Sequence, residues 1–488
     1  MNRIRSIVVL LLCVCFSANA FAQEVIYSPY EKFDLRSGDF SVVGMVGDRL
    51  YTYRTGSDGF FLDAYNDSME KLATVVLDFF PDKIYETRFV TYPDKIVVLY
   101  QAVGSGRVVQ YAAVLDPMGR LLKKPTEIAN AKTGFFGPNK DYFSSVVSDD
   151  KKTILVYSAV DKGDNLEVDG VWIDDQANVR KRSHATFHAD NNIRHGEALM
   201  DNEGTLYMSA STPVGSREFA DQLWVLTLPS GGTQFASAEF PLNGKFAANA
   251  YMKLDYTNNR IYVAGFWSEK KNGNYEGVMF ANYDPAAVAY QNPRLLPFDD
   301  QLRNATGDRN KKRAFNDYLV RQLIIKNDGG FVVIAENYFM ATRTTSFGPG
   351  LGYYSMMYSY GPYMNSSVRE YHYNDILALS YNASGTRDWH AFVRKDQYST
   401  EDGGIFSSYA FLNSGGALGF LFNDYNSNRS TIQLASIDGA GKVELRSMAA
   451  GRSDDPDWLP RSGKQVGARE IVIPCLRKRQ ICFAKVVF

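Results

Sequence analysis

One short unit recurs along almost the whole of this chain, and it limits the possible folds more than any other feature. A polar turn is followed at once by a short apolar run. The runs are 50–53, 96–100, 154–157, 206–208, 261–263, 331–334, 418–421 and 471–473. The turns before them are Gly47-Asp48, Pro93-Asp94, Asp149-Asp150, Asn202-Glu203-Gly204, Asn258-Asn259, Asp328-Gly329-Gly330, Ser414-Gly415-Gly416 and Gly467-Ala468-Arg469. A second apolar run follows in each unit, at 60–62, 109–115, 171–173, 223–226, 278–280, 376–379, 432–435 and 481–484. Turn residues such as Asp116-Pro117-Met118-Gly119 or Asp438-Gly439-Ala440-Gly441 come next, and then a further extended segment. Asx geometry and positive φ are what a tight β-turn needs.

A repeat of this size, one turn-rich antiparallel sheet per unit, is the signature of a ring of four-stranded blades. The spacing predicts an all-β fold: a single eight-bladed β-propeller over residues 23–488. The eighth unit lacks its last segment, so residues 24–35, with Val25, Ile26, Tyr27 and Phe33, are expected to close that blade as its outer strand. A seven-bladed ring with an accessory hairpin is the alternative, and a pair of β-sandwiches also fits simple alternation. Aromatic residues make up 14% of the chain, with 31 Tyr and 31 Phe, which suits strands. No segment sustains a helical period over three turns, so helix is expected to be nearly absent.

Residues 1–22 read as a secretory signal peptide. Arg3 and Arg5 precede a short apolar stretch that ends in Ala20-Phe21-Ala22. Of the four Cys, Cys475 and Cys482 lie outside this segment. They flank a five-residue polar loop between two β-rich runs, and export implies an oxidising compartment, so a Cys475–Cys482 disulfide is expected. The net charge of -1 gives no field that would recruit nucleic acid.

In such a ring the turns before the second strand and after the third share one face, and they are short. The opposite face carries the loops at about 55–58, 101–107, 158–168, 211–221, 266–276, 337–373 and 423–430, together with the crossings between units. Long insertions on a rigid scaffold tend to carry binding. The largest is a Tyr-rich loop at about 337–373, with Tyr353, Tyr354, Met356, Met357, Tyr358, Tyr360 and Tyr363 as candidate partner contacts. A charged crossing at 295–315, with Arg309 and Lys311, is expected to form a solvated rim beside it.

Chemistry-bearing motifs are scarce. His184, His188 and His195 fall close together, but no HExxH, CxxC or paired-ligand spacing supports a metal site. His372 and His390 read as structural. There is no Gly-x-Ser-x-Gly elbow, Walker A loop, GxGxxG or EF-hand ladder. No cofactor is expected.

Over residues 24–488 the units resemble the broad β-propeller superfamily. They depart from its named signatures, with no Trp-Asp ending, kelch pattern, Asp-box or tryptophan-docking motif. With its signal-like N-terminus, its Tyr-rich loop and its ending Cys-Phe-Ala-Lys-Val-Val-Phe, the chain is similar to uncharacterised exported propellers of Bacteroidota-like bacteria. The asymmetric loop lengths and the missing catalytic motifs point to a non-enzymatic protein-binding or scaffold module. It would be periplasmic or outer-membrane associated, with another cell-envelope protein as partner. The alternative is a glycan-binding or glycan-processing protein that uses the central channel on the long-loop face.

Overall fold

The computed structural model describes residues 24–56, 58–104, 106–132, 142–215, 219–345, 366–426, 429–450 and 455–488. The signal segment expected at 1–22 lies outside them. No helix among the described residues is long and apolar enough to cross a membrane.

The fold is a β-propeller. Its strands form antiparallel sheets in sequence order, at 40–76, 84–132, 144–188, 194–239, 246–297, 318–393 and 410–450, with the last built from 464–487 and the N-terminal strand. The fourth and fifth of these units share a single backbone pair, Ala220↔Ala247, and are otherwise separate four-stranded blades. The closing strand behaves as expected: Glu24–Tyr27 pairs with the last strand from Glu24↔Val487 to Tyr27↔Ala484. Ser28 Oγ then accepts from the Phe483 N–H at 2.9 Å.

The repeated turn has a repeated cause. In Asp116–Arg120 the Asp116 Oδ1 accepts from the N–H groups of Met118 and Arg120, at 2.8 and 2.9 Å. Asp174, Asn382 and Asp438 hold the same pattern in their own blades. The fourth turn residue is in the left-handed region each time, with Gly119 at φ 78°, Gly385 at 81° and Gly441 at 81°. Ala177 occupies the equivalent place at φ 56°, where an L side chain is strained.

Strand alternation closes the ring. In the third blade Ile154, Val156, Val171 and Ile173 pack toward the second, while Leu155 and Trp172 pack toward the fourth. The same division recurs, so the described residues form eight buried clusters, each built mainly from two successive blades. The last joins Val472, Leu476, Ile481 and Phe483 of the eighth blade to Val42, Leu50 and Tyr65 of the first. Each blade therefore buries both faces, and neither is stable without its neighbours.

Three expectations need correction. Most of the supposed long loops are strand: Asp161↔Leu166 and Lys162↔Asn165 remain paired, and the second blade pairs out to Gly104↔Arg107. Polar side chains that clear the neighbouring blades can continue a ladder without an apolar signature. The 295–315 crossing is not simply solvated. A short helix, Asp300–Ala305, starts under Asp299, whose carboxylate accepts from the Leu302 N–H. Phe298, Leu302, Ala314 and Phe315 are buried beneath the surrounding charges. The Cys475–Cys482 disulfide is not formed. The two residues are directly opposed across the last hairpin, yet both are free thiols, sealed in the interface with the seventh blade. Cys475 Sγ points back to Ile473 O at 3.4 Å, and burial pushes this thiol well above the ordinary range.

Candidate functional site

The sixth blade departs from its neighbours. Its two middle strands, Phe331–Thr345 and Ser366–Tyr381, pair from Phe331↔Tyr381 to Thr345↔Ser366, with one register shift between Glu336 and Tyr338. Residues 337–345 and 366–373, expected as loop, are thus a projecting two-stranded arm. Tyr353, Tyr354, Met356, Met357, Tyr358, Tyr360 and Tyr363 lie outside the described residues.

The inner strand of this blade, Tyr318–Ile325, stops at Tyr318↔Asn337. Among the described residues no strand pairs with the outer stretch 339–345 on that edge. On the other edge, the strand Gln397–Thr400 pairs with Glu370–Tyr373 and braces the arm. Phe339 stacks on His372 at 4.3 Å and 12°, and His372 leans on Tyr398 at 5.1 Å. Phe339, Met340 and Tyr398 are 37%, 55% and 50% exposed. The arm is therefore held straight by its own ladder while its apolar groups face water.

A buried charge network anchors its base. Glu336 ends the core part of the strand with its side chain wholly buried. Arg321 reaches it at 3.1 Å, Lys395 at 2.9 Å, and the Ser408 hydroxyl donates to it at 2.9 Å. Lys395 also donates to Tyr373 O and Gln397 Oε1, both at 3.0 Å, and Arg461 donates to the Tyr373 hydroxyl at 2.8 Å. Burial pulls the Lys395 ammonium below its usual range, and Glu336 pushes it part of the way back. Sequence reasoning missed these residues. The available signal was a lone carboxylate, Glu336, placed straight after the apolar run 331–335.

The charged crossing sits beside this base. Arg394 ion-pairs with Asp375 of the arm strand and donates to Thr306 O at 3.0 Å. Within the crossing Arg309 is exposed, and Lys311 is half-buried with its carbonyl accepting from Arg303 at 3.2 Å. The three clustered histidines do not converge. His184 goes to Asp169 and His195 to Asp161, each at 2.8 Å, while His188 Nδ1 meets Asn165 Oδ1 at 3.2 Å and lies 3.7 Å from Asp164. No metal-holding group of His, Cys, Asp or Glu occurs among the described residues.

The central channel is lined by the innermost strands. Its turn-side half holds two recesses, of about 700 and 720 Å³, that share Asp149, Lys253 and Tyr256. Deeper in, Glu197 accepts from the Met252 N–H at 2.9 Å. Burial pushes its carboxyl up, against the pull of that N–H and of Lys253. Tyr251 is pushed up to about 12, by burial and by the nearby Glu197 charge.

No family model matches the sequence, and no curated protein does. Among solved structures, prolyl oligopeptidase B from Galerina marginata is similar over 90% of this chain, at 10% identity and a TM-score of 0.42. The chain spans only 55% of that enzyme's length. A polysaccharide lyase of the ulvan lyase type matches 81% of this chain and 90% of its own, at 9% identity and a TM-score of 0.41. A protein of unknown function from Bacteroides caccae matches 72% of this chain and 93% of its own, at 11% identity and a TM-score of 0.27. What makes this chain a β-propeller is its own sheet order and its ring of shared cores.

Proposed function

We propose that this protein is an exported, non-enzymatic propeller that holds another cell-envelope protein through the arm of its sixth blade. The observation that carries this reading is the arm itself. It combines exposed Phe339, Met340 and Tyr398 with an open strand edge, on a base locked by buried charges. Exposed apolar side chains on a rigid ladder cost little ordering entropy on binding, and an open edge can take up a partner strand. Charged groups of the adjoining crossing, Arg309 and Lys311 among them, supply a polar rim. A glycan is the second reading, because the exposed Phe339 ring, stacked on His372, and the tilted Tyr398 ring beside it offer aromatic surface to a sugar.

A photo-crosslinking residue placed at Met340, in cells that make the protein, tests the reading. One defined protein adduct is expected there, and none from the same residue at Leu445, which is 57% exposed on an outer strand of the seventh blade. Equal labelling at the two positions would contradict it.

A further inference from the structure

We propose that the turn-side recess of the central channel binds a small anion carrying more than one negative charge, between Arg88, Lys151, Lys253 and Lys464. The recess lies at the opposite mouth of the ring from the arm, so this inference is independent of the reading above.

These four residues are far apart in sequence and come from the second, third, fifth and eighth blades; all line the recess of about 720 Å³. That volume lies within the range typical of small-ligand sites, about 300–1,000 Å³. None of the four makes an ion pair with a carboxylate among the described residues. Three of them are held by neutral groups instead. Lys464 Nζ donates to Val43 O at 2.8 Å, and Lys151 Nζ to Thr91 O at 3.0 Å. Arg88 donates to the carbonyl of Ser145 and to its hydroxyl, the latter at 2.9 Å. These hydrogen bonds set three of the positions without bringing in a negative charge.

The four are exposed within the recess, and buried cations of this chain are treated differently. Arg54 meets Asp63 and Glu31, Lys395 meets Glu336, and Lys485 meets Asp67 and Glu470. The recess gathers four cations without a carboxylate ion pair among the described residues, in a nearly neutral protein. Lys464 opens onto channel water but has protein on most sides. Burial lowers its pKa, and so do the neighbouring charges of Lys151 and Arg88. Three cations thus repel one another across the recess, with solvent screening part of that repulsion.

The carboxylates nearby offset them only in part. Asp149 lines the recess but makes no ion pair with the four among the described residues. Glu86 acts on Arg88 but is engaged by Gln101 Nε2 at 2.7 Å. Glu197 lies beyond the recess, and Lys253 faces it. Gly44, at φ 122°, leaves the wall open: a Cβ there would stand 3.6 Å from Lys464 Nζ and 3.5 Å from Thr91 Oγ1. An oxyanion in that space would exchange repulsion among cations for charge-assisted hydrogen bonds.

Calorimetric titration tests this with inorganic pyrophosphate, sulfate and citrate, at an ionic strength held constant with sodium chloride. The three probes separate phosphate, sulfate and carboxylate chemistry. Saturable binding of at least one is expected. It should weaken at least tenfold in the Arg88→Gln, Lys464→Gln double variant and stay unchanged in Lys124→Gln, an exposed site on an outer strand. Without ligand, the double variant should melt at or above the wild-type temperature, because the substitutions relieve repulsion. Absence of saturable binding for all three probes would overturn the proposal. So would equal affinity in the wild type and the double variant.

Discussion

Lys395 and Glu336 meet at 2.9 Å, with side-chain exposures of 1% and 0%, at the point where the sixth blade stops being core and becomes the arm. Two sealed charges are costly to bury, and removing Lys395 leaves the sealed Glu336 carboxylate with Arg321 and Ser408 as its remaining partners. Lys395→Met should therefore cost about 2–4 kcal/mol of unfolding free energy in urea, somewhat below the cost of a fully unpaired buried charge. The Glu336→Leu, Lys395→Met double variant should cost less than the single one. A single-variant loss below about 1 kcal/mol would mean that the pair does not hold the base of the arm.

The N-terminal segment closes the ring through one side chain above all. Phe33 is 2% exposed and packs in the cluster shared by the eighth and first blades. Phe33→Ala should cost about 3–5 kcal/mol, read from the urea midpoint at unchanged slope. A near-neutral result would detach this segment from the closure.

The opposed cysteines give a covalent readout. Both are wholly buried, and the raised pKa of Cys475 keeps it as a thiol. Neither should react with iodoacetamide in the folded protein. Both should react in guanidinium without reductant, as two mass additions per chain. A chain that gains no label when unfolded would carry the bond the structure lacks.

Glu197 gives the protein a pH signature. Its carboxyl pKa in the folded state lies above the unfolded value, so the folded state binds that proton more tightly. The associated stability is present below the ordinary carboxylate range and lost as pH rises through the raised value. Glu197→Gln removes this loss. The variant should be more stable than the wild type at neutral pH and nearly equal to it at acid pH, by urea midpoints at the two. Equal midpoints at neutral pH would show that burial does not penalise this carboxylate.

Much of the architecture was legible because it is local and repeated. The Asp116, Asn382 and Asp438 turns and the runs beside them mark blade after blade, and Val25-Ile26-Tyr27 announces the closing strand. The arm was not legible as strand. Beyond Glu336 its side chains leave the core, so the apolar rhythm that marks a strand ends while the ladder continues. The 295–315 crossing misled in the other direction, since its charges hid the spaced anchors Phe298, Leu302 and Phe315. The channel cations could not be read at all. Arg88, Lys151, Lys253 and Lys464 become neighbours only when the ring closes, and no spacing along a chain encodes that.

The account turns on the arm, and shortening it tests the claim most directly. Phe339 and His372 are opposed, so an Asn-Gly turn can join them in place of 340–371 and leave the Glu336 network intact. The intact and shortened proteins would be purified side by side from the cell envelope, with bound protein quantified by mass spectrometry. The account predicts one stoichiometric partner with the intact chain and none with the shortened one, at equal melting temperatures. Equal recovery of the same partner by both would contradict it.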